Sequence, residues 1–236
     1  MSIEVQNLTK TYKQQKALDQ ISFVTGSNHI IGFLGPNGAG KSTTMKILTG
    51  ISPFDQGLCM VNGIDIKLDP LTTKRMIGYL PENNPLYLDM YVQEILSFEA
   101  QIHKLSNPSK RIKEVIAQTG LKQEQHKKIA QLSKGFKQRV GLALAIIHDP
   151  EVLILDEPTT GLDPNQIIEI RTLIQQLSQN KTVFISTHLM QEVEAICEEV
   201  IVIHKGQIKD HFLFKDREMK YPNLSMEEIF VKLTHS

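Results

Sequence analysis

The run Gly35-Pro36-Asn37-Gly38-Ala39-Gly40-Lys41-Ser42-Thr43 carries the residue types that hold phosphate, at the spacing that chemistry needs. Its form is G-x-x-x-x-G-K-[ST], set between an apolar run, Ile30-Ile31-Gly32-Phe33-Leu34, and a helical stretch opening at Thr43. Glycines let successive backbone N–H groups turn inward onto phosphate oxygens, and a helix start adds its positive dipole end. Lys41 is placed to reach the β- and γ-phosphates, and the Ser42 hydroxyl to meet Mg²⁺. A glycine-rich turn without a ligand is the plain alternative, but it needs neither the lysine nor the hydroxyl. The pattern implies a bound nucleoside triphosphate.

A second phosphate-chemistry motif is Val152-Leu153-Ile154-Leu155-Asp156-Glu157. Four apolar residues predict a buried central strand whose C-terminal end presents two carboxylates, at the edge where open α/β sheets bind ligands. Asp156 is expected to hold Mg²⁺ opposite Ser42, directly or through water. Glu157 is expected to orient or deprotonate the water that attacks the γ-phosphate. His188 follows the β-rich run Thr182 to Ser186, which puts it at the same edge, within reach of the γ-phosphate and of Glu157. Alone, each of these residues reads more simply as a solvated strand-end acid or a surface histidine. Adjacent acids downstream of a phosphate loop favour hydrolysis over binding alone.

The elements that must position these groups are legible in outline. Short β-branched runs at Ile3-Val5, Ile21-Val24, Ile30-Leu34 and Leu58-Asn62 predict strands. After Met76-Ile77-Gly78-Tyr79-Leu80 a breaker cluster, Pro81 to Pro85, leads into a helical pattern that lasts to about Ile147. There Val92, Ile95, Leu96 and Ile102 recur on one face, and Asn107-Pro108 reads as the cap and first residue of a helix that Gly120 ends. Strand and helix alternate again from Val152-Leu155 through Val183-Ser186 and Val200-His204, and Met226 to Leu233 predicts a terminal helix. The expected fold is α/β: a P-loop core with a parallel sheet, an antiparallel β region near the N-terminus, and an inserted helical subdomain. The expected division is one domain over residues 1–236, with the core at 1–81 and 149–236 and the helical subdomain at 82–148.

Composition narrows the function classes. The chain has 236 residues, of which 41% are hydrophobic, and 26 basic side chains balance 26 acidic ones. Zero net charge argues against long-range steering to nucleic acid, which needs a basic face. Cys59 and Cys197 lie in apolar patterns without C-x-x-C spacing and read as buried reduced thiols, which predicts a cytosolic compartment. The first residues alternate like a strand rather than a targeting signal, and the longest apolar stretch, Val140 to Ile147, is eight residues, too short to span a membrane.

Between the two phosphate motifs stands Leu132-Ser133-Lys134-Gly135-Phe136-Lys137-Gln138-Arg139-Val140, which resembles the signature sequence of ABC-transporter ATPases. The resemblance covers nearly the whole chain in the family's order. Tyr12 matches the aromatic that stacks on adenine, Gly161-Leu162-Asp163-Pro164 resembles the dimer-contact loop, and Ser186-Thr187-His188 resembles the switch histidine. More narrowly, the chain resembles the exporter branch, which serves drugs, polysaccharides and lipids. The segment Gly78 to Tyr87 resembles gliding-motility-associated ATP-binding subunits. The signature also has its own logic. A hydroxyl and free N–H groups at a helix start form a second anion site, explained if it faces the γ-phosphate on another subunit.

The resemblance implies an ATPase using ATP and Mg²⁺. Two such subunits, identical or related, would sit head to tail around two ATPs and energise export through a separate integral-membrane permease. That permease would dock near Glu82 and Leu86 to Tyr91, placing this chain on the inner face of the cell membrane. Two departures stand out: Glu82 where many relatives carry a glutamine that senses Mg²⁺ and γ-phosphate, and Lys134 with Phe136 where the signature usually has a glycine and a polar residue. Two other readings stay open. One is a soluble ATPase of the same family uncoupled from transport. The other is a P-loop GTPase or kinase, although Asn180-Lys181 lacks the aspartate two positions on that would read guanine.

Overall fold

The computed structural model describes residues 2–235. The chain opens with β1 (Ile3–Tyr12) and β2 (Gln15–Val24), an antiparallel pair, then enters β3 (Ile30–Leu34), buried at every residue. There follow α1 (Lys41–Leu48), β4 (Gln56–Val61), the two-residue β5 (Ile64–Asp65), α2 (Pro70–Met76) and β6 (Ile77–Leu80). Three helices come next, α3 (Val92–Ile102), α4 (Pro108–Gln118) and α5 (Lys134–Ile146). Alternation resumes with β7 (Val152–Asp156), α6 (Pro164–Ser178), β8 (Thr182–Thr187), α7 (Met190–Ile196) and β9 (Glu199–His204). β10 (Gln207–Leu213), α8 (Arg217–Lys220) and α9 (Met226–Thr234) complete the described chain.

One sheet is antiparallel, in the order β2-β1-β4-β5; the other runs β10-β9-β3-β8-β7-β6 and is parallel except at β10. Strands β3, β7 and β8 are buried throughout, which explains their unbroken apolar runs: a parallel sheet covered on both faces has no solvent side. This is the expected α/β class. Phe23 of β2 lies 5.8 Å from Phe33 and 5.9 Å from Phe184, ring centre to ring centre, so an aromatic cluster joins the two sheets. Register then sets the functional edge. Leu34 pairs with Thr187, and Asp156 with Ser186, so three strand ends open side by side at the start of α1.

Local chemistry accounts for most boundaries. Asn107 caps α4, its side chain accepting from the Lys110 N–H, and Pro108 follows in the first turn. Gly120, at φ +69°, stops it. β1 and β2 run longer than the sequence predicts. Bulges interrupt their pairing, with Asn7 and Gln20 in the left-handed region, and these breaks hide the alternation. The apolar residues of α3 divide: Val92, Ile95, Leu96 and Ala100 turn inward, whereas Phe98 is 41% and Ile102 56% exposed, so Ile102 leaves the face expected for it. Helix α2 is an addition to the sequence reading, although Asp69 caps it and Pro70 starts it. So is β10, which folds back from β9 through a tight turn with positive φ at both Lys205 and Gly206. Cys59 and Cys197 are buried and unbridged, as expected, and burial pushes the Cys59 thiol up to about 12.

Candidate functional site

The phosphate loop leaves β3 at Gly35 and enters α1 at Lys41, and its glycines are there because backbone crowds them. A Cβ on Gly35 would meet the Ile203 carbonyl at 2.4 Å. Gly40 has φ +112°, and a Cβ there would meet the Ala17 carbonyl at 2.7 Å. The Lys41 ammonium is held at the mouth of the loop, donating to Gly35 O at 2.8 Å and Pro36 O at 3.3 Å. It also lies 3.4 Å from Glu157 Oε1.

The two acids have different settings. Asp156, 2% exposed, accepts from the Ser186 hydroxyl on β8 and lies 3.4 Å from Ser42 Oγ at the start of α1. Glu157 has φ +51°, unusual for a non-glycine residue, and its N–H is anchored on Ser186 through Oγ at 3.1 Å and O at 3.2 Å. That backbone turn aims the carboxylate back over the loop. Its Oε2 accepts from the Thr160 hydroxyl at 3.1 Å and from His188 Nδ1 at 2.8 Å. Lys41, Glu157 and His188 therefore form one contact chain. Burial, with the Asp156 and Glu82 charges adding to it, pushes the Tyr79 hydroxyl above its ordinary range.

Lys41, Ser42, Glu157, Thr160 and His188 line a single cleft of about 780 Å³, a volume suited to a small polar ligand. From the expected set it gathers Tyr12, Asn37, Gly38, Gly40, Lys41, Ser42, Thr43, Glu82, Glu157 and His188. Tyr12 ends β1 at 47% exposure, its hydroxyl 3.4 Å from Ser52 Oγ and the Lys10 ammonium 5.1 Å from its ring centre. The loop residues Gly35, Pro36 and Ala39 do not line the cleft, nor does Asp156, which lies 3.4 Å from Ser42 Oγ. The cleft adds residues that sequence reasoning missed: Gln15, Lys16 and Ala17 from β2, Thr160, and the Lys205-Gly206 turn. Only the turn carried a signal, a Lys-Gly pair after an apolar strand; the others arrive through tertiary contact.

The signature residues lie outside the cleft. Ser133 caps α5, accepting from the Phe136 N–H at 3.4 Å, and Leu132 is buried beneath it. Ser133, Gly135 and Phe136 line a separate groove of about 320 Å³ with Asp163 and Gln166 from the start of α6. Asp163 caps α6, accepting from Gln166 N at 3.0 Å, and Leu162 packs onto the core. The dimer-loop stretch sits against the signature: a Cβ on Gly161 would come within 2.1 Å of Lys134 Nζ, and one on Gly135 within 2.8 Å of the Gln166 side chain. Gln138 fastens the two segments, donating to Pro158 O at 2.8 Å.

The profile of the ABC transporter family matches residues 18–160, more than half of the chain. The chain belongs to the ABC transporter family. Among relatives of this ABC protein, the bacitracin transport ATP-binding protein BcrA of Bacillus licheniformis is 37% identical over 231 residues, covering 96% of this chain and 75% of BcrA. The linearmycin resistance ATP-binding protein LnrL of Bacillus subtilis (strain 168) is 35% identical over 209 residues, 87% of this chain and 67% of LnrL. A solved dimeric ATP-binding cassette, in a post-hydrolysis state with ADP and Pi, superposes with a TM-score of 0.81 at 26% identity, covering 89% of this chain and 98% of the other. This chain is an ATP-binding, ATP-hydrolysing subunit of an ABC transporter. No helix among the described residues is long and apolar enough to cross a membrane.

Proposed function

We propose that this ATPase drives export through a separate membrane permease, closing as a dimer on two ATPs. The observation that carries the reading is the cleft itself: one space bordered by Lys41, Ser42, Glu157 and His188, with Tyr12 at its mouth. Adenine stacks on Tyr12, and Lys41 exchanges the Gly35 and Pro36 carbonyls for β- and γ-phosphate oxygens. Glu157 orients the attacking water and draws off its proton, and His188 steadies the Glu157 carboxylate and the γ-phosphate. The oxygen donors Ser42 and Asp156, with Glu82 across the cleft, suit Mg²⁺. Those three side chains would hold the ion together with bound ATP. Bound Mg²⁺ would screen the phosphate charge.

Dimer closure is supported by the separation of cleft and signature groove, which share no residue. Ser133 and Gly135 then serve the ATP held by another copy, or by a related subunit, while Gly161 to Asp163 carry the contact between copies. We read residues 82–148 as the inserted helical subdomain, because α3 to α5 fall between adjacent strands β6 and β7. Its exposed Tyr87, Leu88 and Tyr91 follow Glu82 and offer the permease an apolar seat on the inner membrane face. Export is favoured by the names of BcrA and LnrL, which point to antibiotic transport and resistance rather than to the gliding-motility grouping.

The test is Glu157→Gln, sized by light scattering with and without Mg-ATP, beside wild-type and mutant turnover. We expect kcat to fall by about 10²- to 10⁴-fold, the range for a lost general base, and a monomer-to-dimer shift only with ATP. Normal hydrolysis by the mutant would remove Glu157 from its role. ATP binding without dimerisation would refute closure by the chain alone.

A further inference from the structure

The cleft accounts for Glu157 and His188 but not for a third carboxylate buried behind them. Glu192 of α7 is 0% exposed. Its Oε1 accepts from the Thr159 hydroxyl at 3.0 Å, and Thr187, whose Oγ1 accepts from the Leu189 N–H at 3.0 Å, lies close enough to favour the ionised carboxylate. Both threonines are buried, and each is the chain neighbour of a residue in the cleft. Thr159 precedes Thr160, whose hydroxyl holds Glu157 Oε2; Thr187 precedes His188, whose Nδ1 holds the same oxygen. The contacts close a ring: Glu157 to Thr160, along the chain to Thr159, across to Glu192, through its N–H to Leu189 O, one residue back to His188, and on to Glu157.

Resting on the roles proposed above for Glu157 and His188, we infer that Glu192 is a positioning residue for hydrolysis, fixing those two side chains in register through Thr159 and the turn from His188 to Glu192. Its cost argues against packing alone. Glu192 Oε2 is buried with no hydrogen-bond partner, and burial pushes the carboxyl above the ordinary glutamate range. An apolar residue of this size would avoid both penalties, but it would leave the buried Thr159 hydroxyl without its acceptor. The remaining charges facing Glu192 are Arg171 on α6, which favours its ionised form, and Glu157, which opposes it.

Four single variants and one double variant, purified as the full chain, test the ring by steady-state ATPase kinetics and melting temperature. Glu192→Gln keeps an oxygen for the Thr159 hydroxyl and retains kcat within about twofold. Glu192→Ala and Thr159→Val each lower kcat by about 10- to 100-fold, the scale of a misplaced catalytic group, while KM for ATP stays within about twofold. Because the ring acts as a unit, Glu192→Ala with Thr159→Val is no slower than Glu192→Ala alone. Thr159→Val, nearly isosteric, carries the test if Glu192→Ala does not fold. Wild-type kcat in Thr159→Val, or a Gln variant as slow as the Ala variant, overturns the inference. Glu157→Gln run alongside separates the two failures. If it turns over normally, the reading of the cleft falls and the ring with it; if it is inactive while Thr159→Val is normal, only the ring falls.

Discussion

Alanine in place of Gly40 should damage this protein far more than alanine in place of Gly38, although both glycines belong to the same loop. Gly40 has φ +112°, and its Cβ would stand 2.7 Å from the Ala17 carbonyl and 2.7 Å from Leu18 Cδ2. Left-handed backbone costs an L-residue about 1–2 kcal/mol, and the overlap with a β2 carbonyl that cannot rotate away adds about 1–2 kcal/mol more. A total near 3 kcal/mol lowers Tm by about 6–12 °C in a chain of this size. Gly38, at φ +78°, has nothing within 4 Å of its Cβ position. It bears only the backbone term, about 1 kcal/mol, or about 2–4 °C. Calorimetry gives the two Tm values, and an ATP titration at fixed Mg²⁺ gives affinities. Gly40→Ala should bind ATP at least about tenfold more weakly, since relief of the clash moves the N–H groups that cradle phosphate. Equal Tm shifts in the two variants would refute the argument from close approach.

Three further outcomes follow from the geometry. His188→Ala removes one of the two donors on Glu157 Oε2 and should lower kcat by about 10²-fold with little change in KM; unchanged kcat in a steady-state assay would count against its role. Tyr12→Ala should weaken ATP binding by about 1–3 kcal/mol, the worth of one stacked base, read by titration, with kcat at saturation preserved. Glu199 gives a pH-dependent test. Burial pushes its carboxyl up, but hydrogen bonds from His211 and the Gly26 N–H outweigh this and hold it below the ordinary 4.5. A depressed carboxyl contributes stability that is complete above 4.5 and is lost as pH falls through the lower folded value. Denaturant unfolding of wild type and Glu199→Gln should therefore differ at pH 6 and converge in acid; a constant gap would refute the linkage.

The phosphate loop, the paired acids and the parallel strands beneath them were legible because each depends on local spacing. A glycine loop between a strand and a helix, or four apolar residues ending in two acids, carries its meaning within ten positions. The cap at Asn107 was of the same kind. What escaped was pairing between distant segments. Bulges at Asn7 and Gln20 concealed half of β1 and β2, and the sparsely apolar β10 left no periodic trace. Ile102 reads as a core residue by period, yet packing turned it outward.

The sequence by itself determined that this protein handles a nucleoside triphosphate, because cradle, lysine, hydroxyl and acids each lie within short runs. Only the tertiary structure decided how they meet. The register of β7 against β8 sets Ser186 beneath both Asp156 and the Glu157 N–H. The left-handed turn at Glu157 sends its carboxylate toward Lys41 and His188. The join of α5 to α6 holds the signature away from the chain's own cleft. Some of these contacts join segments about thirty residues apart and Lys41 meets Glu157 across nearly half the chain, and over such distances no residue period survives to announce them.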